Sequence, residues 1–292
     1  MIAVRLMGGL GNQMFQYAAA KSLALGRKSK LLIDLSFLMQ RIEGNTHRQY
    51  ELHAFNLKES FLDNKELRAF EKKNNGNLFL RMMNYFSRVD VKTIFRETTF
   101  GFQEEMLVQP DNTLLIGNWQ SEKYFSLYQT EIRKMFTFPT LESSSSRTMS
   151  EKIRSSNAVS LHIRRGDYVS NPVTKAFHAT CSMDYYQHAV EFLEERIGKL
   201  TLFVFSDDMD WVMNNFKVDS EIIFVSVPEN KNYDDMHLMS MCRHHIIANS
   251  SFSWWAAWIN PAPGKIVVAP LQWFNDTSID TKDLIPADWF RL

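Results

Sequence analysis

The sequence predicts an α/β chain built from two domains, each around a parallel sheet. Three observations predict it. The chain opens as strand, glycine turn, helix and strand between Ile2 and Asp34. Residues 157–269 alternate five strands with four helices. Between these halves lies a polar break, Pro139 followed by the run Ser143-Ser144-Ser145-Ser146. Strands that alternate with helices pair in parallel, because each crossover helix returns the chain to the same edge of the sheet.

In order, Ile2 to Met7 reads as a buried strand and Gly8-Gly9-Leu10-Gly11-Asn12 as a tight turn. Asn12 is the expected N-cap of a helix over Gln13–Leu25, and Gly26 its expected stop. Lys30 to Asp34 is a second strand. Asp63 and Glu66 form a capping-box pattern that opens a helix fading at Asn74-Asn75-Gly76. The apolar segment with Phe79, Met82, Met83, Tyr85 and Phe86 reads as helical. Thr113 to Ile116 returns to strand, and Phe125, Tyr128, Ile132, Met135 and Phe136 mark a helix face. The second half places strands at 157–163, 201–205, 221–226, 244–248 and 265–269, with helices at about 184–197, 208–216, 233–242 and 251–259. The expected division is an N-terminal domain over 1–140, a linker over 141–156 in which a polar stretch to Ser156 reads as helical, a nucleotide-binding domain over 157–270 and a tail over 271–292. Trp273, Phe274, Trp289 and Phe290 should pack that tail onto the body.

Composition narrows the function. Of 292 residues 45% are hydrophobic and 13% aromatic, enough for sizeable cores, and 33 basic residues balance 33 acidic ones. Nothing in that balance attracts nucleic acid to the chain as a whole. Cys181 and Cys242 are too few for a disulfide framework or a zinc cluster. The segment Met1–Leu6 carries Arg5 and runs straight into glycine, which is not a signal peptide, and no stretch reaches the ~20 apolar residues of a membrane span. A cytoplasmic protein is expected.

Polar groups gather where the second-half strands end. Arg164, Arg165 and Asp167 follow the first strand, and Ser206, Asp207 and Asp208 the second. Asp234 and Asp235 open the helix after the third, and Asn249, Ser250 and Ser251 open the helix after the fourth. In a parallel sheet these ends share one edge, where ligands bind. Paired guanidiniums and a helix N-terminus suit a pyrophosphate, and carboxylates suit ribose hydroxyls or a guanine edge. Each group also has a plainer reading, a surface ion pair for the arginines and a helix cap for each aspartate. His162 fits either a phosphate donor or a satisfied strand histidine. Asp208-Met209-Asp210 is a D-x-D, a pattern that can hold a divalent ion. First-turn acids at a helix start explain it equally simply, and no metal is expected. The apolar run from Phe252 to Ile259 reads as a buried helix supporting the anion site.

The first glycine turn invites a dinucleotide reading, with Asp34 ending the next strand as a ribose contact. The fingerprint requires a small residue where this chain has Met14. A turn whose backbone approaches another ligand remains the better reading, with Gly9 and Gly11 at the ligand and the amides of Asn12 and Gln13 at its tip.

Four blocks together resemble one family. They are Gly8-Gly9-Leu10-Gly11-Asn12-Gln13-Met14-Phe15-Gln16-Tyr17-Ala18, then Gly117-Asn118-Trp119-Gln120 running on to Phe125, then His162-Ile163-Arg164-Arg165-Gly166-Asp167-Tyr168, and Asn249-Ser250-Ser251-Phe252-Ser253-Trp254-Trp255. They look like the alpha-1,2-fucosyltransferases of glycosyltransferase family eleven, and the missing membrane anchor looks like their bacterial branch. Asn118 stands where a tyrosine is common. The resemblance implies a GT-B-like fold, two Rossmann-like domains with the active site in the cleft between them. It implies inverting transfer of L-fucose from GDP-β-L-fucose to the 2-hydroxyl of a terminal galactose, without a metal or other cofactor. The acceptor would be a galactose-terminated oligosaccharide or lipid-linked glycan, compatible with peripheral contact at the inner face of a membrane.

The resemblance also implies roles. Arg164 is expected on the β-phosphate, and Gly9, Gly11, His162, Asp207, Asp208, Asp235, Asn249, Ser250 and Ser251 around the donor. Gln13 and Trp119 are expected at the acceptor. Asp167 and Asn12 are expected beside Arg164 in catalysis, Asp167 as base or brace and Asn12 to orient the acceptor. The readings to separate from this one are another GDP-fucose-dependent transferase, an NAD-dependent oxidoreductase, and an inactive nucleotide- or glycan-binding module.

Overall fold

A computed structural model describes residues 1–40, 47–74, 92–177, 179–227 and 231–292. The expected helix around Phe79–Phe86 lies outside the described residues. The chain divides into two compact units. The first takes in Met1–Ile42, His47–Met135 and Lys282–Leu284; the second takes in Phe136–Thr281 and Ile285–Leu292.

In the first unit β1 (Ile2–Arg5), β2 (Leu31–Asp34), β3 (Ser60–Phe61), β4 (Thr93–Arg96) and β5 (Thr113–Ile116) form one sheet in the order β3-β2-β1-β5-β4. Every pairing is parallel, with Ile2 opposite Leu31 on one side and Thr113 on the other. Helix α1 (Leu10–Arg27) lies close on this sheet because Ala18, Ala19 and Ala20 are fully buried and hold no bulk between backbone layers. Two boundaries differ from expectation. The N-cap is Gly9, and Asn12 lies inside the first turn. Gly26 does not stop the helix. Lys28 does, in the left-handed region at φ 54°, where its N–H and that of Ser29 close on the carbonyls of Leu25 and Ala24. The capping box before α2 (Asn64–Asn74) is formed as its residues require. Glu66 N donates to Asp63 Oδ1 at 2.7 Å and Asp63 N donates to Glu66 Oε2 at 3.2 Å. The short α3 (Gln129–Met135) buries Ile132.

In the second unit the expected linker is structured. Ser143 caps α4 (Ser144–Arg154), accepting from Ser146 N at 3.0 Å, so the serine run is a helix start. A serine before a helical stretch and a flexible serine run share one local signature, and the amphipathic register of Ser146, Ser150 and Ile153, all buried, decides between them. Strands β6 (Ala158–Ile163), β7 (Thr201–Ser206), β8 (Glu221–Phe224), β9 (His244–Ile246), β10 (Val267–Ala269) and β11 (Phe290–Arg291) form a parallel sheet in the order β11-β10-β9-β6-β7-β8. Between them run α5 (Gly166–Ser170), α6 (Pro172–Phe177), α7 (Met183–Ile197), α8 (Met209–Asn215), α9 (Asn232–Met241) and α10 (Ser251–Ile259). Tyr186, Ala189, Val190 and Leu193 of α7 pack on Val159, Leu161, Leu202 and Val204 in the core. In α10, Trp254, Trp255 and Trp258 are all buried. The tail contributes β11 to this sheet and buries Trp273, Phe274 and Trp289, while Phe290 stays half-exposed.

Candidate functional site

Each sheet has one point where the strand order reverses. Ligands in open α/β sheets bind beyond the strand ends at such points. In the second unit it lies between β6 and β9, which pair directly with Leu161 opposite Ile246. Their ends lead to Arg164 on one side and Ser250-Ser251 on the other.

Arg164 Nη1 holds Asp207 Oδ2 at 2.7 Å, and its guanidinium stands 5.4 Å from the Tyr168 ring. A guanidinium has five donors in a fixed fork, so one edge can meet Asp207 while another meets an anion. Asp207 Oδ1 accepts from Arg165 N at 2.8 Å. Arg165 is occupied differently. Its guanidinium lies 3.4 Å from the Trp211 ring centre and its Nε reaches Asp208 Oδ2 at 3.2 Å. Asp207 and Asp208, expected at the nucleoside, hold the 164–166 loop here. Asp208 takes the N-cap position of α8 without capping it, and its own N–H donates to Ser206 Oγ. Asp210 lies in the first turn, as acids at helix starts do.

Across the reversal, Ser250 caps α10, its Oγ accepting from Phe252 N at 3.3 Å. The first-turn N–H groups of a helix have no partner within it and carry partial positive charge. Ser251, the first helical residue, and Arg164 therefore end adjacent strands as two cationic features. Asn249 is not part of that ligand surface. It is fully buried, and its Nδ2 donates to the carbonyls of Ala179 and Trp273 at 2.6 and 2.9 Å. It staples two loops behind the site. His162 is buried too, its Nδ1 facing Ser253 Oγ at 2.9 Å. Burial lowers its pKa to about 4; Asp207 opposes the shift and Arg164 adds to it. A neutral histidine braced on the first turn of α10 is the strand-histidine alternative. Of the two acids in the first turn of α9, Asp234 completes a capping box with the N-cap Lys231, its Oδ2 accepting from Lys231 N at 3.0 Å. Asp235 stays beside it in the first turn. Asp167 is described by its backbone alone, in α5.

In the first unit the reversal lies between β1 and β5. The turn Gly8–Asn12 follows β1 and Gly117–Gln120 follows β5, and a hydrogen bond joins them, Gln120 Nε2 to Asn12 Oδ1 at 3.0 Å. Gly8 has φ 74°, and a Cβ there would stand 2.5 Å from Asn12 Nδ2. Gly9 is the extended N-cap of α1 and Gly11 is buried in its first turn. Gln13 is fully buried and clamps the chain at 49–51: its Nε2 donates to the carbonyls of Gly8 and Gln49, and its Oε1 accepts from Glu51 N. Trp119 is also fully buried, stacked on Phe95 and edge-on to Tyr124. Gln13 and Trp119, expected at the acceptor, are both buried here and shape the turns that carry Asn12 and Gln120. Asp34 pairs with Arg5 at 2.7 Å and accepts from Ser36 N, which removes it as a ribose contact.

Two positions were given no role in the sequence reading. Glu97, just after β4, accepts from the backbone N–H groups of Asn118 at 2.6 Å and Trp119 at 3.1 Å. The β-branched and aromatic run Thr93–Phe95 was the signal for its strand. Gly166 lies against Asp207, and a Cβ there would stand 2.9 Å from Asp207 Cγ. No signal in a single sequence reveals such an approach.

The chain is similar to known proteins over its whole length. The model of glycosyl transferase family 11 matches residues 1–292. An alpha-1,2-colitosyltransferase of Escherichia coli is 35% identical over 302 residues, covering 100% of this chain and 98% of that protein. The O-antigen biosynthesis glycosyltransferase WbnK of Escherichia coli is 36% identical over 302 residues, covering 98% and 99%. Among solved structures, the fucosyltransferase NodZ from Bradyrhizobium aligns at 16% identity and a TM-score of 0.46 over 89% of this chain and 92% of that one. No described helix is long and apolar enough to cross a membrane. The chain belongs to glycosyl transferase family 11.

Proposed function

We propose that the protein transfers L-fucose from GDP-β-L-fucose to the 2-hydroxyl of a terminal galactose, with inversion at the fucose C1. The observation that carries this reading is the meeting of Arg164 and the N-terminus of α10 at the sheet reversal of the second unit. As the C1–O bond breaks, negative charge grows on the departing β-phosphate. Arg164 and the N–H groups around Ser251 stabilise that charge, often the largest single contribution to such catalysis. Asp207 fixes Arg164 beforehand, so little reorganisation accompanies the reaction. Asp235 serves the nucleoside, and the backbone at Gly9 and Gly11 leaves room for a sugar. Asn12 accepts from Gln120 through its Oδ1; as an amide it can orient the acceptor and cannot take a proton. Asp167 is the proton acceptor in this reading. Asp167→Asn with turnover near wild type would remove it from that role. The chemistry requires no metal, because the cationic groups of the protein meet the phosphates.

A second reading has its own support. A relative matched over the whole chain is named for colitose transfer. Colitose is 3-deoxy-L-fucose, so the donors differ by one hydroxyl and share the GDP end. One assay separates these readings. The protein is incubated with lactose and either GDP-fucose or GDP-colitose, with and without EDTA, and products are identified by NMR. 2′-Fucosyllactose formed in EDTA supports the proposal in full. Product from GDP-colitose alone selects the second reading. GDP release with no product, across a panel of galactosides, rejects both as stated.

A further inference from the structure

Beside the site groups of the first unit lies a carboxylate that no role above uses. Glu97 follows β4 at the same sheet edge as the Gly8–Asn12 and Gly117–Gln120 turns. It is mostly buried, and both of its oxygens accept backbone N–H groups, from Asn118 and Trp119. The turn it holds is an unusual one. Trp119 has φ 54°, a left-handed conformation that bulky residues rarely adopt. At Gly117 a Cβ would collide with the Glu97 side chain and stand 2.9 Å from the Trp119 ring. Such a conformation persists only where surrounding groups over-determine it. Here the fixing groups are the two N–H bonds to Glu97, the Trp119 stack on Phe95, and the bond from Ser121 N to the Trp119 carbonyl at 2.9 Å. The next residue is Gln120, whose amide reaches Asn12.

We propose that Glu97 is a positioning residue: its carboxylate locks the Gly117–Trp119 turn so that Gln120 fixes the side-chain amide of Asn12. The catalytic consequence rests on the proposed function; the placement of Asn12 does not. Glu97 does its work as the anion, because a carboxylate accepts at both oxygens whereas the acid turns one into a donor. Burial pushes its pKa up, and the two N–H bonds counter that push. The phenol of Tyr124 is electrostatically coupled to it, and Tyr124 in turn feels Asp283 and Glu105, with Lys123 bound to Asp283. The lock therefore loosens as pH falls, above the range where an exposed glutamate would protonate.

The test has two arms on the full chain. In the first, the side-chain amide signals of Asn12 and Gln120 are recorded by 15N NMR and assigned through their loss in Asn12→Asp and Gln120→Glu. In Glu97→Gln an N–H donor of the new amide must face a backbone N–H, so both signals should move. Unmoved Asn12 signals overturn the proposal whatever the donor is. In the second, turnover is followed with whichever GDP-sugar the wild type uses. Glu97→Gln should lower kcat at least about tenfold and flatten the acid limb of its pH profile, with GDP affinity within about twofold of wild type. Unchanged kcat and an unchanged acid limb overturn it. If Glu97→Gln fails to fold, Gln120→Leu breaks the last link and leaves the carboxylate in place. It should give the same loss of kcat, and normal kcat there overturns the proposal. A wild type that turns over no GDP-sugar defeats the functional reading instead, and the NMR arm still decides whether Glu97 sets Asn12.

Discussion

Asp207 and Gly166 touch so closely that the hydrogen of Gly166 is all the space allows. The Asp207 carboxylate that faces this glycine also holds Arg164 at 2.7 Å and the Arg165 N–H at 2.8 Å. Gly166 has no positive φ, so the requirement is for room and not for backbone freedom. Gly166→Ala should displace Asp207 and release Arg164. The expected cost is about 1–3 kcal/mol of stability, as for other overpacked sites, with GDP affinity lowered at least about tenfold. Urea unfolding and calorimetry with GDP measure the two. Unchanged GDP affinity in the folded variant would show that Asp207 does not govern Arg164.

The adjacent arginines should separate. Arg164→Ala removes the group proposed at the departing phosphate and should lower kcat by about 10²–10³, the effect of losing one oxyanion-type donor. Arg165→Ala removes a guanidinium stacked on Trp211 and paired with Asp208. Its cost should appear chiefly in stability, about 1 kcal/mol, since exposed cation–π and ion pairs contribute little each. Steady-state kinetics beside thermal unfolding tests the division. An Arg165 variant as inactive as Arg164→Ala, at normal stability, would reverse it.

Gln13 should behave as structure. Its amide makes three hydrogen bonds at full burial, to Gly8, Gln49 and Glu51. Gln13→Ala leaves those backbone groups unmatched, and each such loss costs about 1–3 kcal/mol. A fall in Tm of several degrees is expected. In contrast, an acceptor-binding role would raise the acceptor KM without lowering Tm.

Residues such as these show what one sequence discloses and where it stops. The strands of the second half were legible because they are short apolar runs, Val159, Leu161 and Ile163 among them, closed by polar or turn residues such as Arg164-Arg165-Gly166, Asp207, Asn249 and Pro270. Strand β3, of two residues, is too short for periodicity to register, and β4, with its run Thr93–Phe95, lay in a stretch whose helical and extended signals were not separated. The helical stretch expected up to Ser156 is α4, and its buried register shows that the serine run itself starts that helix, which local composition alone does not separate from a linker. Within the site, the cationic pair of Arg164 and the α10 N-terminus follows from strand-end position alone. The direction in which a side chain turns does not. Asn249, Gln13 and Trp119 carry the right chemistry at the right strand ends and face inward, while Glu97 stood outside any motif.

His162 gives the last prediction, through pH. Burial holds its folded pKa near 4, against 6.5 for an ordinary histidine. The unfolded chain therefore takes up a proton that the folded one refuses between those values. Stability from this group is fully present above about pH 6.5 and is lost as pH falls toward 4. The gap corresponds to on the order of 3 kcal/mol. His162→Gln keeps a side chain able to meet Ser253 Oγ and abolishes the titration. Urea unfolding at pH 7 and pH 4.5 should show the wild type losing about 2 kcal/mol more than the variant. Other buried histidines, His245 among them, titrate equally in both proteins and cancel in that difference. An equal loss in both would mean that His162 takes up its proton in the fold as readily as in the unfolded chain, and the neutral brace behind α10 would have to be abandoned.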